Sequence, residues 1–204
     1  KEETKNLLEA AEIPVPSGVV IRTEEGLKDA VDKYGYPLVI KPIDGNHGKG
    51  NTTNITTWEQ ALTAFAAAKN YSRSVIVERF ITGYDFRILV INYKFICAAL
   101  RTPASVIGDG KNTIQYLIDE TNKDPRRGYE QEKVLTQITI DQFTQKMLDE
   151  KGYSLETVPT KGELVLLKPT ANLSTGGTST DVTDEVHPAN IFMCERISKI
   201  IGLD

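Results

Sequence analysis

The chain has 204 residues, of which 40% are hydrophobic, and its formal net charge is -4. This length and apolar content are enough to bury a core, in one large domain or in two small lobes. The acidic balance argues against a partner that is nucleic acid or a membrane surface, because both require a face rich in Lys and Arg.

Two cysteines, Cys97 and Cys194, lie within apolar patterns, which predicts buried, reduced thiols and a cytoplasmic location. No apolar stretch approaches the roughly 20 residues needed to cross a bilayer. The chain starts without Met and stops where a helix would be followed by a strand, so we expect a fragment of a longer protein.

Helices and strands alternate in the first part of the chain. The spacing of Leu7, Leu8 and Ala11 predicts a short helix that Pro14 and Pro16 end. The next predicted elements are a strand at 19–21, a helix capped by Thr23, a strand at 38–41, and a helix with capping-box spacing at Thr56 and Glu59. Together they form an N-terminal lobe at 1–70.

A second lobe is predicted at 71–204. Its elements are a strand at 74–80, a hairpin of 86–91 and 94–100 that turns at Asn92 and Tyr93, a strand at 163–168, and a last helix from Pro188 that buries Ile191, Cys194, Ile197 and Ile201. Residues 108–165 have the pattern of an insertion, with helices that start at Asn112 and Asp141.

The segment 41–50 reads Lys-Pro-Ile-Asp-Gly-Asn-His-Gly-Lys-Gly and follows an apolar strand. A lysine at the end of a strand, followed by three glycines, lets the backbone turn tightly and direct N–H groups at a polyphosphate. The spacing is neither that of the common phosphate loop nor that of dinucleotide folds. An ordinary glycine-rich turn with a surface lysine explains the pattern equally well.

Two further segments are candidates for binding. The exit of the strand at 75–87 offers backbone groups to a purine edge and the carboxylate of Asp85 to a ribose, although a solvated strand end is the simpler alternative. The segment 170–183 places hydroxyl side chains around two glycines, which suits a carboxylate or phosphoryl group, and a flexible linker is its alternative.

Five blocks of the sequence occur in a fixed order: 41–50, 77–87 (Val-Glu-Arg-Phe-Ile-x-Gly-x-Asp-x-Arg), 101–110 (Arg-x-Pro-Ala-x-Val-x-Gly-Asp-Gly), 124–128 (Asp-Pro-Arg-Arg-Gly) and 172–188 (Asn-Leu-Ser-Thr-Gly-Gly-x-x-x-Asp-Val-Thr-Asp-Glu-Val-His-Pro). Together they resemble the ATP-grasp region of cyanophycin synthetases. The ATP-grasp half of bifunctional glutamate-cysteine ligase/glutathione synthetase shares some blocks but usually has another glycine loop. The resemblance implies an α+β ATP-grasp fold: two α/β lobes with mainly antiparallel sheets around a nucleotide cleft, with the C-terminal part truncated.

The resemblance also implies a reaction. ATP would phosphorylate the C-terminal carboxylate of a poly-aspartate backbone, and aspartate would then be joined through an amide bond. The implied partners are ATP, aspartate, arginine and the arginyl-poly-aspartate polymer, and the full-length protein is expected to be a homo-oligomer.

Site residues follow from the matched motifs. The implied ATP-binding residues are Lys1, Lys41, Gly45, Asn46, Gly48, Gly50, Glu78, Arg79, Ile81 and Asp85. The implied catalytic residues are Lys41, His47, Arg87 and Arg101, and the implied acceptor-binding residues are Asn172, Ser174, Thr175, Gly176 and Gly177.

Magnesium is the second expected cofactor, because it normally bridges the phosphates during transfer. In the family its ligands lie in a later strand pair, so we expect them beyond the end of this chain and expect the chain alone to be inactive. Two alternatives remain open: a glutathione synthetase-type ligase, and a nucleotide- or polymer-binding module without catalysis.

Overall fold

A computed structural model describes residues 2–44, 49–130 and 132–202. The α-helices in these ranges are α1 (Glu2–Ala10), α2 (Glu24–Tyr34), α3 (Trp58–Lys69), α4 (Ile114–Asn122), α5 (Gln142–Asp149) and α6 (Pro188–Ile201). The strands are β1 (Gly18–Ile21), β2 (Leu38–Pro42), β3 (Thr52–Ile55), β4 (Val75–Arg79), β5 (Asp85–Ile91), β6 (Lys94–Thr102), β7 (Ser105–Ile107), β8 (Arg127–Gly128), β9 (Leu135–Thr136), β10 (Leu164–Leu166) and β11 (Thr178–Asp181).

The chain forms two compact units. Unit 1 contains residues 1–83 together with 192–204, and unit 2 contains residues 84–191. The division into lobes at 1–70 and 71–204, and the nucleotide cleft between lobes, stay predictions.

Unit 1 is built on an antiparallel sheet with the strand order β1-β4-β2-β3. Alternate residues of β2 and β4 point to one face, where Leu38, Ile40, Val75 and Val77 are fully buried. The apolar sides of α2 and α3 pack on this face and complete the core. The opposite face therefore carries the intervening residues of the same strands.

The described part of unit 2 contains three small sheets. The strand order β11-β6-β5 is antiparallel, β10 pairs with β7 antiparallel, and β8 pairs with β9 parallel. The core of the unit consists of Ala104, Val106, Ile114, Ile118, Ile138, Leu148, Val165 and Leu167. The β5–β6 hairpin turns at Asn92 and Tyr93, with φ of 50° and 61°, as the sequence predicts.

Two predicted helix starts are wrong by one residue. Thr57, not Thr56, caps α3 by accepting a hydrogen bond from the Gln60 amide, and Thr113, not Asn112, caps α4. Each true cap lies beside another residue that is able to cap, so local sequence alone does not choose between the two. The cap of α5 at Asp141 is confirmed.

The last helix is less buried than its pattern predicts. Ile191, Cys194, Ile197 and Ile201 are half-buried, and Ser198 is the buried position of α6. Cys97 is also half-buried rather than buried. Within the described ranges, no helix is both long and apolar enough to cross a membrane.

Candidate functional site

The second face of the unit 1 sheet holds a cluster of three charged side chains. Lys41 on β2 and Glu78 on β4 lie on this face, and Lys5 reaches it from α1. The Glu78 carboxylate is 3.2 Å from the Lys5 ammonium through Oε1 and 2.5 Å from the Lys41 ammonium through Oε2. One carboxylate is therefore shared by two cations, and a positive charge remains in excess.

Burial strengthens this cluster. The Glu78 side chain is 8% exposed and the Lys5 side chain 16%, whereas that of Lys41 is 31% exposed. Water screens the charges of Glu78 and Lys5 least, because these two side chains are the most buried. Lys41 is the member that a ligand can reach most easily.

Gly18 makes room for the carboxylate. It lies directly opposite Glu78 in the β1–β4 pairing. A Cβ at this position would lie 2.3 Å from the Val77 carbonyl oxygen and 2.6 Å from Glu78 Cγ. Any side chain larger than hydrogen would displace the strand or the Glu78 side chain.

The cluster lines a groove of about 560 Å³ between α1 and this face of the sheet. Apolar walls come from residues such as Leu8, Val20 and Ile76. Glu2 and Glu9 also line the groove, but both are exposed, so water screens their charge. An apolar groove with a partly buried positive end suits a ligand that has a flat apolar part and an anionic part.

The implied phosphate-binding segment, 41–50, is only partly described. Four of its residues lie outside the described residues: Gly45, Asn46, His47 and Gly48. The same holds for Lys1, the first implied ATP-binding residue.

Where the segment begins, Asp44 accepts a hydrogen bond of 2.8 Å from the Ser72 hydroxyl, and the Ile43 amide donates to the Ser74 carbonyl at 3.1 Å. At the other end of the segment, Lys49 is exposed and Gly50 is half-buried. The segment begins at the end of β2, whose last residue is Pro42, and is followed by β3, which begins at Thr52.

The exit of β4 is anchored and then becomes exposed. The Arg79 amide donates to the Ser17 carbonyl and the Phe80 amide to the Pro37 carbonyl, each at 2.9 Å. These two N–H groups are therefore already occupied. Ile81, the next residue, is 64% exposed, and the Arg79 side chain is also exposed.

In unit 2, three of the implied residues share one face of the β5–β6 pair. Asp85 lies directly opposite Arg101, and Arg87 follows Asp85 by two residues on the same strand. Arg87 Nε donates to Asp85 Oδ1 at 3.0 Å. The Arg87 side chain is 53% exposed and the Asp85 side chain 41%, so this ion pair is open to exchange with a ligand.

The 172–177 loop contains the implied acceptor-binding residues. A short 3-10 helix, Leu173–Thr175, is followed by Gly176 in the left-handed region with φ of 92°. Gly176 and Gly177 are buried, Asn172 and Thr175 are half-buried, and Ser174 is exposed. Thr175 is held by a hydrogen bond of 3.0 Å from its hydroxyl to the Asn172 carbonyl.

Next to this loop, Lys168 is buried and forms an ion pair with Asp141, with 2.6 Å between Nζ and Oδ1. Burial opposes ionisation of Asp141, but Lys168 and the amides of Thr144 and Phe143 stabilise the carboxylate, so its pKa is lowered. Burial also lowers the pKa of Arg127, which lies beneath the loop.

Sequence reasoning missed Lys5, Lys168 and Arg127 as parts of these sites. Each acts through a partner far away in the chain, for example over 73 residues between Lys5 and Glu78. The one local signal is that Lys5 lies four residues after Lys1, a residue to which the resemblance assigns ATP binding.

Comparison with known proteins identifies the fold. Residues 6–97 match the ATP-grasp domain family. The crystal structure of a bifunctional glutathione synthetase from Pasteurella multocida covers 99% of this chain at 30% identity, with a TM-score of 0.64. This chain has an ATP-grasp fold. The α+β fold class with mainly antiparallel sheets, which the resemblance implies, is confirmed.

The resemblance to cyanophycin synthetases is confirmed as well. Over the whole length of this chain, the ATP-grasp sequence is 51% identical to the cyanophycin synthetase of Trichormus variabilis. It is 35% identical over 99% of its length to the glutathione biosynthesis bifunctional protein of Streptococcus mutans. The chain spans 23% and 27%, respectively, of these two relatives.

Proposed function

We propose that this chain is the nucleotide-binding part of an ATP-dependent carboxylate-amine ligase that forms amide bonds. The observation that carries the proposal is the cluster of Lys5, Lys41 and Glu78. Two partly buried ammonium groups share one carboxylate beside a groove with apolar walls. The excess positive charge suits polyphosphate, and the groove suits a flat base.

In this proposal, Lys41 moves from Glu78 to the α- and β-phosphates of ATP. The move is inexpensive because Lys5 remains to pair with the Glu78 carboxylate. The glycines of 45–50 close over the phosphates, and closure excludes water from the activated intermediate. His47 acts there on the incoming amine or on the phosphates.

The base and the sugar have their own residues in the proposal. Glu78, Arg79 and Ile81 line the adenine slot, and Asp85 accepts hydrogen bonds from the ribose hydroxyls. The exposure of Ile81 supports this role, because an apolar side chain at a strand exit is available for contact with a base. Asp85 would exchange its exposed ion pair with Arg87 for the ribose.

The proposed reaction has two steps. A carboxylate oxygen attacks the γ-phosphorus of ATP, and ADP leaves; the amine of aspartate then attacks the acyl carbon, and phosphate leaves as the amide bond forms. Arg87 and Arg101 stabilise the charge on the transferring phosphoryl group. Asn172, Ser174, Thr175, Gly176 and Gly177 hold the acceptor carboxylate.

The proposed acceptor is the C-terminal carboxylate of a poly-aspartate backbone that carries arginine on its side chains. The identity of 51% with a cyanophycin synthetase, against 35% with a glutathione biosynthesis protein, favours this acceptor over a glutathione-type substrate. We also propose that the full-length protein is a cytoplasmic homo-oligomer, which cell fractionation and sedimentation would test.

Magnesium is the second cofactor in this proposal. Among the residues that the structure describes, no group of three or more His, Cys, Asp or Glu side chains is placed to hold a metal ion. Hard cations such as Mg²⁺ are bound by carboxylate and other oxygen ligands. One or two carboxylates are enough when the phosphates of a nucleotide complete the coordination of Mg²⁺, and no step above is assigned to the metal.

The proposal is tested by trapping the intermediate. The full-length protein is incubated with ATP, Mg²⁺, the aspartate polymer and hydroxylamine, which converts an acylphosphate to a hydroxamate. We expect hydroxamate and ADP in equal amounts from wild type and none from Lys41→Met. A non-catalytic binding module would form no hydroxamate although it binds ATP, and that result would overturn the proposal.

A further inference from the structure

The polar block 124–128 has no role in the proposed reaction, yet the structure connects it to the 172–177 loop. Arg127 is only 6% exposed. Its Nη1 donates to the Thr136 carbonyl at 2.6 Å and to the Gly176 carbonyl at 2.9 Å. The guanidinium group therefore holds the backbone of the 172–177 loop from below, across 49 residues of sequence.

A second contact fixes the same point of the loop. A Cβ on Gly176 would lie 2.7 Å from Ile138 Cγ1 and 2.9 Å from Ile138 Cα, so the glycine backbone rests directly on Ile138. Ile138 is itself held at its amide and its carbonyl by the side chain of Asn122, at 2.8 and 2.9 Å. The loop thus rests on a rigid support and is fastened to it by Arg127.

The other side of the 172–177 loop carries polar side chains that are at least partly exposed. Ser174 is exposed, and Asn172 and Thr175 are only half-buried. The backbone is therefore fixed on the buried side, while the Ser174 hydroxyl lies exposed on the other side. The Thr175 hydroxyl and the Asn172 side-chain amide are held in place by hydrogen bonds to the Asn172 carbonyl and to the Thr170 hydroxyl, respectively. Such an arrangement orients a set of polar groups before a ligand arrives, which reduces the entropy cost of binding.

We infer that Arg127 is a positioning residue for the 172–177 loop and that it sets the affinity for the carboxylate acceptor without touching it. The identity of the acceptor rests on the proposed function, whereas the contact between Arg127 and the loop does not. Arginine suits the role, because one planar guanidinium group donates to two carbonyl groups and remains charged when buried.

The test compares Arg127→Met with Arg126→Met in the full-length protein. Arg126 is a matched control: it is the adjacent arginine, its side chain is 70% exposed, and it pairs with Asp124. Steady-state ligation gives the KM for the polymer and for ATP. For Arg127→Met we expect the polymer KM to rise at least about tenfold and the ATP KM to stay within about twofold.

Arg126→Met should leave both constants within about twofold of wild type. Arg127→Lys should give an intermediate polymer KM, because an ammonium group still donates to the Gly176 carbonyl. If the KM values for polymer and ATP rise together in Arg127→Met while the protein melts at a lower temperature, the role is general stability and the inference is wrong.

Amide hydrogen exchange separates this inference from the proposed function. Exchange at 173–178 should accelerate at least about tenfold in Arg127→Met, while exchange in the unit 1 sheet stays unchanged. Unchanged exchange at 173–178 would overturn the inference, whether or not the protein ligates. Accelerated exchange with an unchanged polymer KM would also overturn it. Absence of ligation in wild type, with accelerated exchange in the variant, would instead refute the proposed function.

Discussion

Glu78 is the group on which the charged cluster of unit 1 depends, and its replacement tests the cluster directly. Glu78→Gln keeps the shape of the side chain but removes the negative charge that Lys5 and Lys41 share. Both ammonium groups then lose their counter-charge and repel each other. We expect unit 1 to be destabilised, because a partly buried charge without a partner is costly.

The expected size follows from burial. Removal of one partner of a fully buried ion pair costs roughly 3–5 kcal/mol. Here the Lys5 side chain is 16% exposed and that of Lys41 31%, so water recovers part of the loss. We therefore expect Glu78→Gln to lower the free energy of unfolding by about 2 kcal/mol.

A double-mutant cycle with Lys5→Met separates this effect from changes in packing. Lys5→Met alone leaves Glu78 paired with Lys41, so we expect a loss of only about 1 kcal/mol. In the double variant one of the two repelling cations is gone. The combined loss should therefore be smaller than the sum by about 1 kcal/mol.

The assay is urea unfolding followed by tryptophan fluorescence. Trp58 is the single tryptophan of the chain and lies on α3, so its signal reports on unit 1. Glu9→Gln is the control, since Glu9 lines the same groove but is exposed. An effect of Glu78→Gln below about 0.5 kcal/mol, or losses that simply add, would refute the coupling of these three side chains.

Three further predictions concern stability. The lowered pKa of Asp141 means that its carboxylate stabilises the fold above the usual carboxyl pKa and that this stabilisation is lost as pH falls through the lower native pKa. Asp141→Asn should therefore remove that acid-sensitive part of the urea midpoint. An unchanged dependence of the urea midpoint on pH would contradict this. Gly176→Ala should lower the free energy of unfolding by at least about 2 kcal/mol, because the residue has a positive φ and its Cβ would collide with Ile138. Gly152→Ala, with φ of 68° and open space around it, should lower it by about 1 kcal/mol. Equal losses in the two variants, measured by chemical denaturation, would contradict this prediction. Thr57→Ala should lower the free energy of unfolding by about 1 kcal/mol through loss of the α3 cap. No loss would mean that Thr57 does not cap the helix and would favour Thr56 as the cap.

Much of the fold follows from local patterns in the sequence. The stripe that includes Ala61 and Phe65 predicts the buried side of α3, and the pair Asn92 and Tyr93 predicts the hairpin turn because Asn tolerates a positive φ. Local patterns also fail in a regular way. They place the start of α3 one residue early, because two adjacent threonines are both able to cap it.

The candidate sites also contain residues that the sequence indicates and contacts that only the folded chain reveals. Lys41 at the end of a strand is visible from hydrophobic periodicity and the glycines that follow. Its pairing with Glu78 depends on which strands are neighbours, and the contribution of Lys5 depends on where α1 packs. The role of Arg127 could not be predicted from the sequence for the same reason, since its partner Gly176 is close only in the folded unit.

Calorimetric titration of the full-length protein with MgATP tests the central claim most directly. The claim is that Lys41, released from Glu78, binds the phosphates of ATP. Lys41→Met should weaken ATP binding at least about tenfold, while Lys28→Met, which removes an exposed lysine of α2, should leave the Kd within about twofold. An unchanged Kd in Lys41→Met would contradict the account.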